Sequence, residues 1–503
     1  MSALGLAGVG SFVAGAIPTR AVLGAPALHP LAAADGERVL VLIQMEGGND
    51  GLNTVIPIFD DRYFRNRPSL AIPQSAALDV GQQFGLHGSL EPLQSRFAAG
   101  EMQVIHAVGY DNPDLSHFRS TDIWVSASDS DETLRSGWVG RTVEGQWPQV
   151  ITDPPASPLA VQIGGAAMMF RGMQTNVGAS FRDTEQLARL AEGGVSFDPA
   201  DVPDTRYGRL MSYTRELANQ SYRYAAALQD SAAGGENDAA YPDGRLGEQL
   251  AMVARLIKGG LGAKVYHVSL SGFDTHALQA ETHAQLLAEF SAATNAFMDD
   301  VDVGGRADDV LLMTFSEFGR TVVENGARGT DHATVAPMFL LGRGLANSTF
   351  GVMPDLDVVN EFGDVEHIID FRKVYASVLE TWLRIPGNLV DQALGRNFDR
   401  LGLFADSVGL QTPGLPTGYS LGSPYPNPSR EFARLPISVP APTRVSVELF
   451  DTLGRQVGTS AGRTVLGISE LTIPLAGLPP GSYFARVNLD THTQTRSIVV
   501  AGR

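Results

Sequence analysis

The feature that most constrains this chain is a set of continuous apolar runs of strand length: Arg38–Gln44, Met102–Val108, Val265–Leu270, Val310–Phe315 and Pro337–Leu341. A strand with one wet face alternates apolar and polar residues, whereas an unbroken run suits a strand buried on both faces of a parallel sheet. Between these runs, apolar residues recur at spacings of three and four over Leu246–Ile257, Thr282–Met298 and Phe371–Leu383, the period of helices with one buried stripe. Strands alternating with helices predict an α/β domain with a doubly wound, mostly parallel sheet flanked by helices. Ligands bind such sheets at the carboxyl ends of the strands.

The two ends read differently. Residues 1–36 are small and apolar with almost no charge and end in alanines, which reads as an export signal; a disordered N-terminal arm is the alternative. The α/β domain is expected over residues 37–405, and a Pro- and Gly-rich linker over 406–419. Beyond it, short alternating runs at Arg444–Phe450, Leu471–Leu475, Ser482–Val487 and Arg496–Val500 predict a small all-β sandwich over 420–503. The short apolar stretch of the signal leaves no transmembrane helix in the mature protein.

A formal net charge of -18 argues against a nucleic-acid partner, which calls for a basic face. Cysteine is absent, so thiolate chemistry and Cys-ligated metals are excluded. Any metal must rest on His, Asp, Glu or hydroxyl oxygen.

Five segments place such groups beside a core strand. Asp50 follows the first run in a Gly-rich turn. Ser116 and His117 precede a short helix predicted over Ser120–Val125, where a hydroxyl at a helix N-terminus near a cation can act as a nucleophile. Asp274 and His276 sit two residues apart on a strand-end loop, with His283 on the following helix. Glu317 and Arg320 follow the fourth run, where a plain ion pair between them is the structural alternative. Asp331 and His332 form the fifth segment, on the next loop. Taken singly, each has an ordinary reading as a turn, a cap or a surface loop. Together they form the set that metal-assisted attack on a phosphorus or sulfur ester requires: carboxylates and imidazoles for one or two cations, a hydroxyl to attack, and an Arg to stabilise the added negative charge.

The strings Gly47–Asn53, Ser116–Trp124, Gly272–His276, Thr314–Arg320 and Gly329–Gly342 resemble the domain-of-unknown-function 1501 family of the alkaline-phosphatase and sulfatase superfamily. The resemblance implies an alkaline-phosphatase-like fold and a divalent metal, zinc first and manganese or calcium as alternatives. It also implies roles residue by residue: Asp50, Asp274, His276, Glu317 and His332 as metal ligands and Ser116 as the nucleophile, to which the segments themselves add Asp331 as a candidate ligand and His117 and Arg320 as candidate catalytic residues. Two departures stand out. The superfamily's Asp-His pair reads Glu317-Phe318 here, which implies a single-metal or weakened site. The Cys/Ser-x-Pro-x-Arg string of formylglycine sulfatases is absent, and so is a twin-arginine motif, since Arg20 stands alone.

The tail, with Tyr425-Pro426-Asn427-Pro428, Leu449–Arg455 and Leu478–Phe484, resembles the type IX secretion C-terminal sorting domain. That implies engagement with the type IX machinery and a secreted or surface-attached product. Two functions follow as expectations. One is a metal-dependent hydrolase of a small-molecule or glycan phosphate or sulfate ester. The other is a non-catalytic surface binding protein on a degenerate phosphatase or sulfatase fold.

Overall fold

The computed structural model describes residues 38–405 and 420–501, with interruptions within 165–167, 183–200, 357–363, 422–426 and 490–491. The expected export signal and linker lie outside the described residues. Every apolar run of the α/β domain becomes a strand: β1 (Val39–Glu46), β2 (Met102–Gly109), β5 (Val265–Ser271), β6 (Val310–Phe315) and β7 (Ala336–Leu341). Two shorter strands, β3 (Ala160–Ile163) and β4 (Gly178–Phe181), extend the sheet. Its order is β2-β7-β6-β1-β5-β3-β4, and the two-residue strands Thr349–Phe350 and Ile369–Asp370 also pair with β2.

β1 lies parallel to both β5 and β6 at the centre, and β3 is parallel to β5 and β4. β7 departs from expectation, running antiparallel to β2 and β6. This reversal explains the placement of the fifth segment. Asp331 and His332 precede β7, and the start of an antiparallel strand lies at the same sheet edge as the ends of its neighbours.

Alternate residues of β1 serve two cores, as a strand's period of two requires. Val41 and Ile43 pack in one apolar cluster with Leu250 and Phe290, while Leu40 and Leu42 pack in the other with Ile123, Trp124 and Tyr375. The helices supplying these faces include α1 (His117–Ser126), α3 (Arg245–Lys258) and α4 (Gln279–Val303). A fourth, α2 (Arg206–Gly234), lies in a stretch whose sequence shows no readable pattern. The stripe expected at Phe371–Leu383 forms an α-helical segment, Phe371–Ser377, followed by a π-helical turn over Val378–Trp382. Asp370 caps its start by accepting the Arg372 N–H at 2.9 Å.

Two histidines inside this sheet carry an energetic consequence. His106 on β2 and His267 on β5 are buried, and neither ring nitrogen of His267 has a hydrogen-bond partner. Burial disfavours the imidazolium and lowers both from an ordinary 6.5 to about 4. Between those values the unfolded chain takes up protons that the folded chain refuses, so stability is full above pH 6.5 and falls as pH drops toward 4. Each histidine contributes on the order of 3 kcal/mol to that loss. Urea unfolding at neutral and acidic pH is expected to show it, and His267→Leu to flatten it; an unchanged acid slope in the variant would refute the assignment.

The tail forms a separate hydrogen-bonded network of β8 (Ser420–Leu421), β9 (Phe432–Asp451), β10 (Gln456–Pro474), β11 (Gly481–Leu489) and β12 (His492–Val500). β9 and β10 are far longer than the sequence suggests. Pro440 and Pro442 lack the N–H that a ladder uses, and the β9–β10 register shifts between Val439 and Thr443. Inward residues such as Leu435, Val447, Ala485 and Ile498 meet in one apolar cluster. Among the described residues, no helix is long and apolar enough to cross a membrane.

Candidate metal centre

The loops after β1, β5 and β6 meet the loop before β7 and the start of α1. Their approach is close enough to dictate glycine at two positions. Gly47 and Gly48 have φ of +117° and +85°. A Cβ on Gly47 would lie 2.3 Å from the Asp274 backbone nitrogen, and one on Gly48 2.6 Å from the Phe318 ring.

Asp274 is the hub. Its Oδ1 lies 3.1 Å from His276 Nε2 and 3.1 Å from His332 Nε2, and its Oδ2 lies 3.4 Å from His117 Nε2. The Nε2 atoms of His276 and His332 are 3.0 Å apart. Ligand atoms of His117, Asp274 and His332 all fall within 4.8 Å of one another. Burial raises the Asp274 carboxyl's pKa, but the hydrogen bond and charge of Arg320, with the His332 and His117 rings beside it, outweigh it and hold the group at about 2.

The opposite edge of each imidazole is held by an acceptor. His276 Nδ1 donates to Asp331 Oδ1 at 2.7 Å, His332 Nδ1 to the Leu115 carbonyl at 2.9 Å, and His117 Nδ1 to Glu317 Oε1 at 2.9 Å. With Nδ1 carrying the hydrogen, the neutral ring presents a lone pair at Nε2. Asp274 Oδ1 and the Nε2 atoms of His276 and His332 are then three lone-pair donors at mutual distances of 3.0–3.1 Å. Such donors share so small a space only around a positive centre, a proton on one ring or a metal ion. Tetrahedral zinc with bonds of about 2.0–2.1 Å has ligand-to-ligand edges of about 3.4 Å, so the donor set fits the ion after a shift of a few tenths of an ångström. Glu317 Oε2, buried beside them, has no hydrogen-bond partner.

The expected roles divide on this geometry. The structure brings Asp274, His276 and His332 together. His117, read from sequence as catalytic, joins them through its free Nε2. Glu317 and Asp331, expected as ligands, accept from the Nδ1 edges of His117 and His276, and Glu317 Oε1 also accepts the Gly47 N–H at 2.8 Å. Among the described residues no ion pair joins Glu317 to Arg320.

Asp50 stands apart from the cluster. It is buried, and its Oδ2 receives Arg67 Nη1 at 2.6 Å and the Gln279 side-chain amide. Burial raises its pKa, yet the Arg67 charge brings it below the ordinary value. His283 is likewise interior: its Nε2 lies 3.0 Å from Asn49 Oδ1, and burial lowers it to about 4.

Arg320 was expected to meet negative charge on a reacting group. Its guanidinium is instead buried and spent on the protein. Nε donates to the Gly48 carbonyl at 2.9 Å, Nη1 to Thr330 at 3.0 Å, and Nη2 to Asp274 Oδ1 at 2.7 Å, to Phe273 at 2.9 Å and to Gly47. It clamps the loops after β1 and β5 to the loop before β7. A two-residue antiparallel ladder of Gly319–Arg320 with His332–Ala333 sets that register.

Ser116 occupies the N-cap position of α1, but its hydroxyl makes no capping bond; its backbone N–H donates to Asp114 Oδ1 at 2.8 Å. It lies between Leu115, whose carbonyl His332 holds, and His117, so the chain brings it to the edge of the cluster. Phe318, which reads in the sequence only as a missing ligand, floors the site. Its ring centroid lies 4.9 Å from that of His117 and 4.4 Å from that of His332. Arg67 was missed altogether, for its partners are scattered along the chain and leave no local signal.

No curated protein matches the sequence. Among solved structures, 84% of the chain aligns with 89% of a Bacteroides thetaiotaomicron protein described with the metabolism of multiple glycosaminoglycans, at 9% identity and a TM-score of 0.36. A protein in the alkaline phosphatase superfamily from Vibrio parahaemolyticus aligns over 85% of this chain and 83% of that one, at 8% identity and a TM-score of 0.32. A third match, dimeric latent PorU from Porphyromonas gingivalis, is 21% identical over 16% of this chain, with a TM-score of 0.14, and the chain spans only 9% of that protein's length. A secretion system C-terminal sorting domain matches residues 423–501, which marks the protein for type IX export to the cell surface or beyond. A family described as a protein of unknown function, DUF1501, matches residues 104–401, a stretch that holds α1, the Asp274 loop, the Arg320 clamp and His332, and to that family this chain belongs.

Proposed function

We propose that the protein is an exported metal-dependent hydrolase of phosphate or sulfate esters. The reading makes Asp274, His276, His332 and His117 the ligand set and Ser116 the attacking hydroxyl. The observation that carries it is the convergence of three lone-pair donors, each ring fixed from behind by a hydrogen-bond acceptor. Imidazole with carboxylate favours zinc, then manganese; calcium prefers an all-oxygen shell. Bound there, the ion would supply Lewis-acid charge to an ester oxygen and lower the pKa of a neighbouring hydroxyl.

The chain's own residues have definite tasks in this scheme. Asp331, the Leu115 carbonyl and Glu317 keep the three rings in one tautomer. Ser116 sits at the positive end of α1, where the exposed N–H groups of the first turn favour an alkoxide. Arg320 is a positioning residue that fixes Asp274 and does not reach for substrate.

A second reading, a surface binding protein without turnover, draws on the lip of the site. Phe118 is 88% exposed next to His117, and Leu278 is 62% exposed two residues from His276. Apolar side chains so placed suit a docked ring or partner as well as an ester's leaving group.

Elemental analysis of protein purified without chelator, paired with His332→Ala, tests the proposal. Stoichiometric zinc or manganese is expected in the parent and its loss in the variant. Turnover of p-nitrophenyl phosphate, bis-phosphate or sulfate is expected to fall by at least about a hundredfold in Ser116→Ala. Metal in neither protein after reconstitution would leave the binding reading in its place.

A further inference from the structure

α1 has 10 residues, about 15 Å at 1.5 Å per residue, and the histidine cluster lies at its start. At its other end is a separate cavity of about 210 Å³, lined in part by Arg141, Arg372, Arg396, Leu134, Met173 and Leu394. A water's share of the liquid is about 30 Å³, so the space suits a small organic molecule.

Bonds within the protein fix its walls. The Glu144 carboxylate accepts the N–H groups of Met173, Gln174 and Thr175 at 2.6, 3.0 and 2.7 Å, which holds the loop that carries Met173. Arg141 donates to the carbonyls of Ser126, Ser136 and Ala393 at 2.6, 2.7 and 2.6 Å. Asp370 grips Arg372 at 2.9 and 2.6 Å, and Arg372 and Arg396 both reach Asp129.

Arg141, Arg372 and Arg396 line the cavity with Asp129 and Glu132, and Asp370 pairs with Arg372. Arg141 is bonded only to neutral oxygens, and its burial lowers its pKa to about 10 despite the charge of Glu132. Arg119 Nη1 is buried with no partner, while its Nη2 donates to the carbonyls of Asp129, Ser130 and Glu132. A desolvated guanidinium without a paired carboxylate is undercompensated, and charge-assisted bonds to an oxyanion are among the strongest it can form.

We infer that this cavity binds a small organic monoanion, its carboxylate or sulfate group held by Arg141 and Arg396 and its body resting on Leu134, Met173 and Leu394. The inference stands independently of the metal centre.

Isothermal titration of the full chain with glucuronate and with galactose 6-sulfate, against neutral glucose, tests it. Saturable binding of one anion or both at about 1 mM or tighter is expected, and which one saturates distinguishes carboxylate from sulfate. Chelator should leave the binding intact. Arg396→Ala, a half-exposed position whose loss leaves Asp129 still paired with Arg372, should weaken it by about tenfold or more, with the melting temperature confirming the fold. Equal binding of glucose, no saturation by either anion, loss on chelation, or parent-like affinity in Arg396→Ala would overturn the inference.

Discussion

Arg67→Met is expected to destabilise the α/β domain by about 3–5 kcal/mol, because it leaves a buried carboxylate without its counter-charge. The side chains of Arg67 and Asp50 are both wholly inaccessible to solvent. The guanidinium also serves Asn53 Oδ1 at 2.7 Å and the carbonyls of Thr321 and Val322 at 2.7 and 3.0 Å. Methionine fills the space but donates nothing, so the carboxylate loses its cation and two carbonyls lose their donor together. The double variant Arg67→Met/Asp50→Leu removes the stranded charge and should recover most of the loss. Urea unfolding of the parent and both variants decides the matter: a shift below about 1 kcal/mol in Arg67→Met would mean that water reaches Asp50 and that the pair is not sealed.

The second large effect concerns Asp274. Asp274→Ala deletes the oxygen shared by two imidazoles and should lower zinc affinity by more than about a hundredfold, with ester turnover falling in step. Asp331→Asn, at a carboxylate that holds the far edge of His276 and accepts the Asn325 amide at 3.2 Å, should cost about 10- to 100-fold, the range for a partner that merely orients a ligand. Competition with a chromophoric chelator measures both. If Asp331→Asn is as damaging as Asp274→Ala, Asp331 is itself a ligand and the division of these carboxylates into ligand and orienter is wrong.

The central strands are legible in the amino-acid sequence because burial on both faces leaves an unbroken apolar run, as at Val39–Ile43. The candidate chemistry is legible because loops at strand ends have no packing reason to place Asp beside His, as at Asp331-His332. The rest turns on facts that sequence does not encode locally. The direction of β7 depends on neighbours far away in the chain. α2 spans Arg206–Gly234 in a stretch whose apolar residues mark no clear face. The tail's prolines suggest interruptions that the β9–β10 pair absorbs as register shifts. Which ring each carboxylate meets depends on contacts such as His117 with Glu317, 200 residues apart.

The carbonyls gathered by Arg320, from Gly47, Gly48, Phe273 and Thr330, belong to three loops, and none of those bonds requires an ion. The nest of donors is therefore built by the polypeptide as it folds, as a socket is cast before any plug exists. A chain routed through two membranes has no need to carry its ion from the cytoplasm. On the proposed reading it can be charged at its destination, and which ion fills it then reflects the chemistry of the surroundings as much as that of the protein.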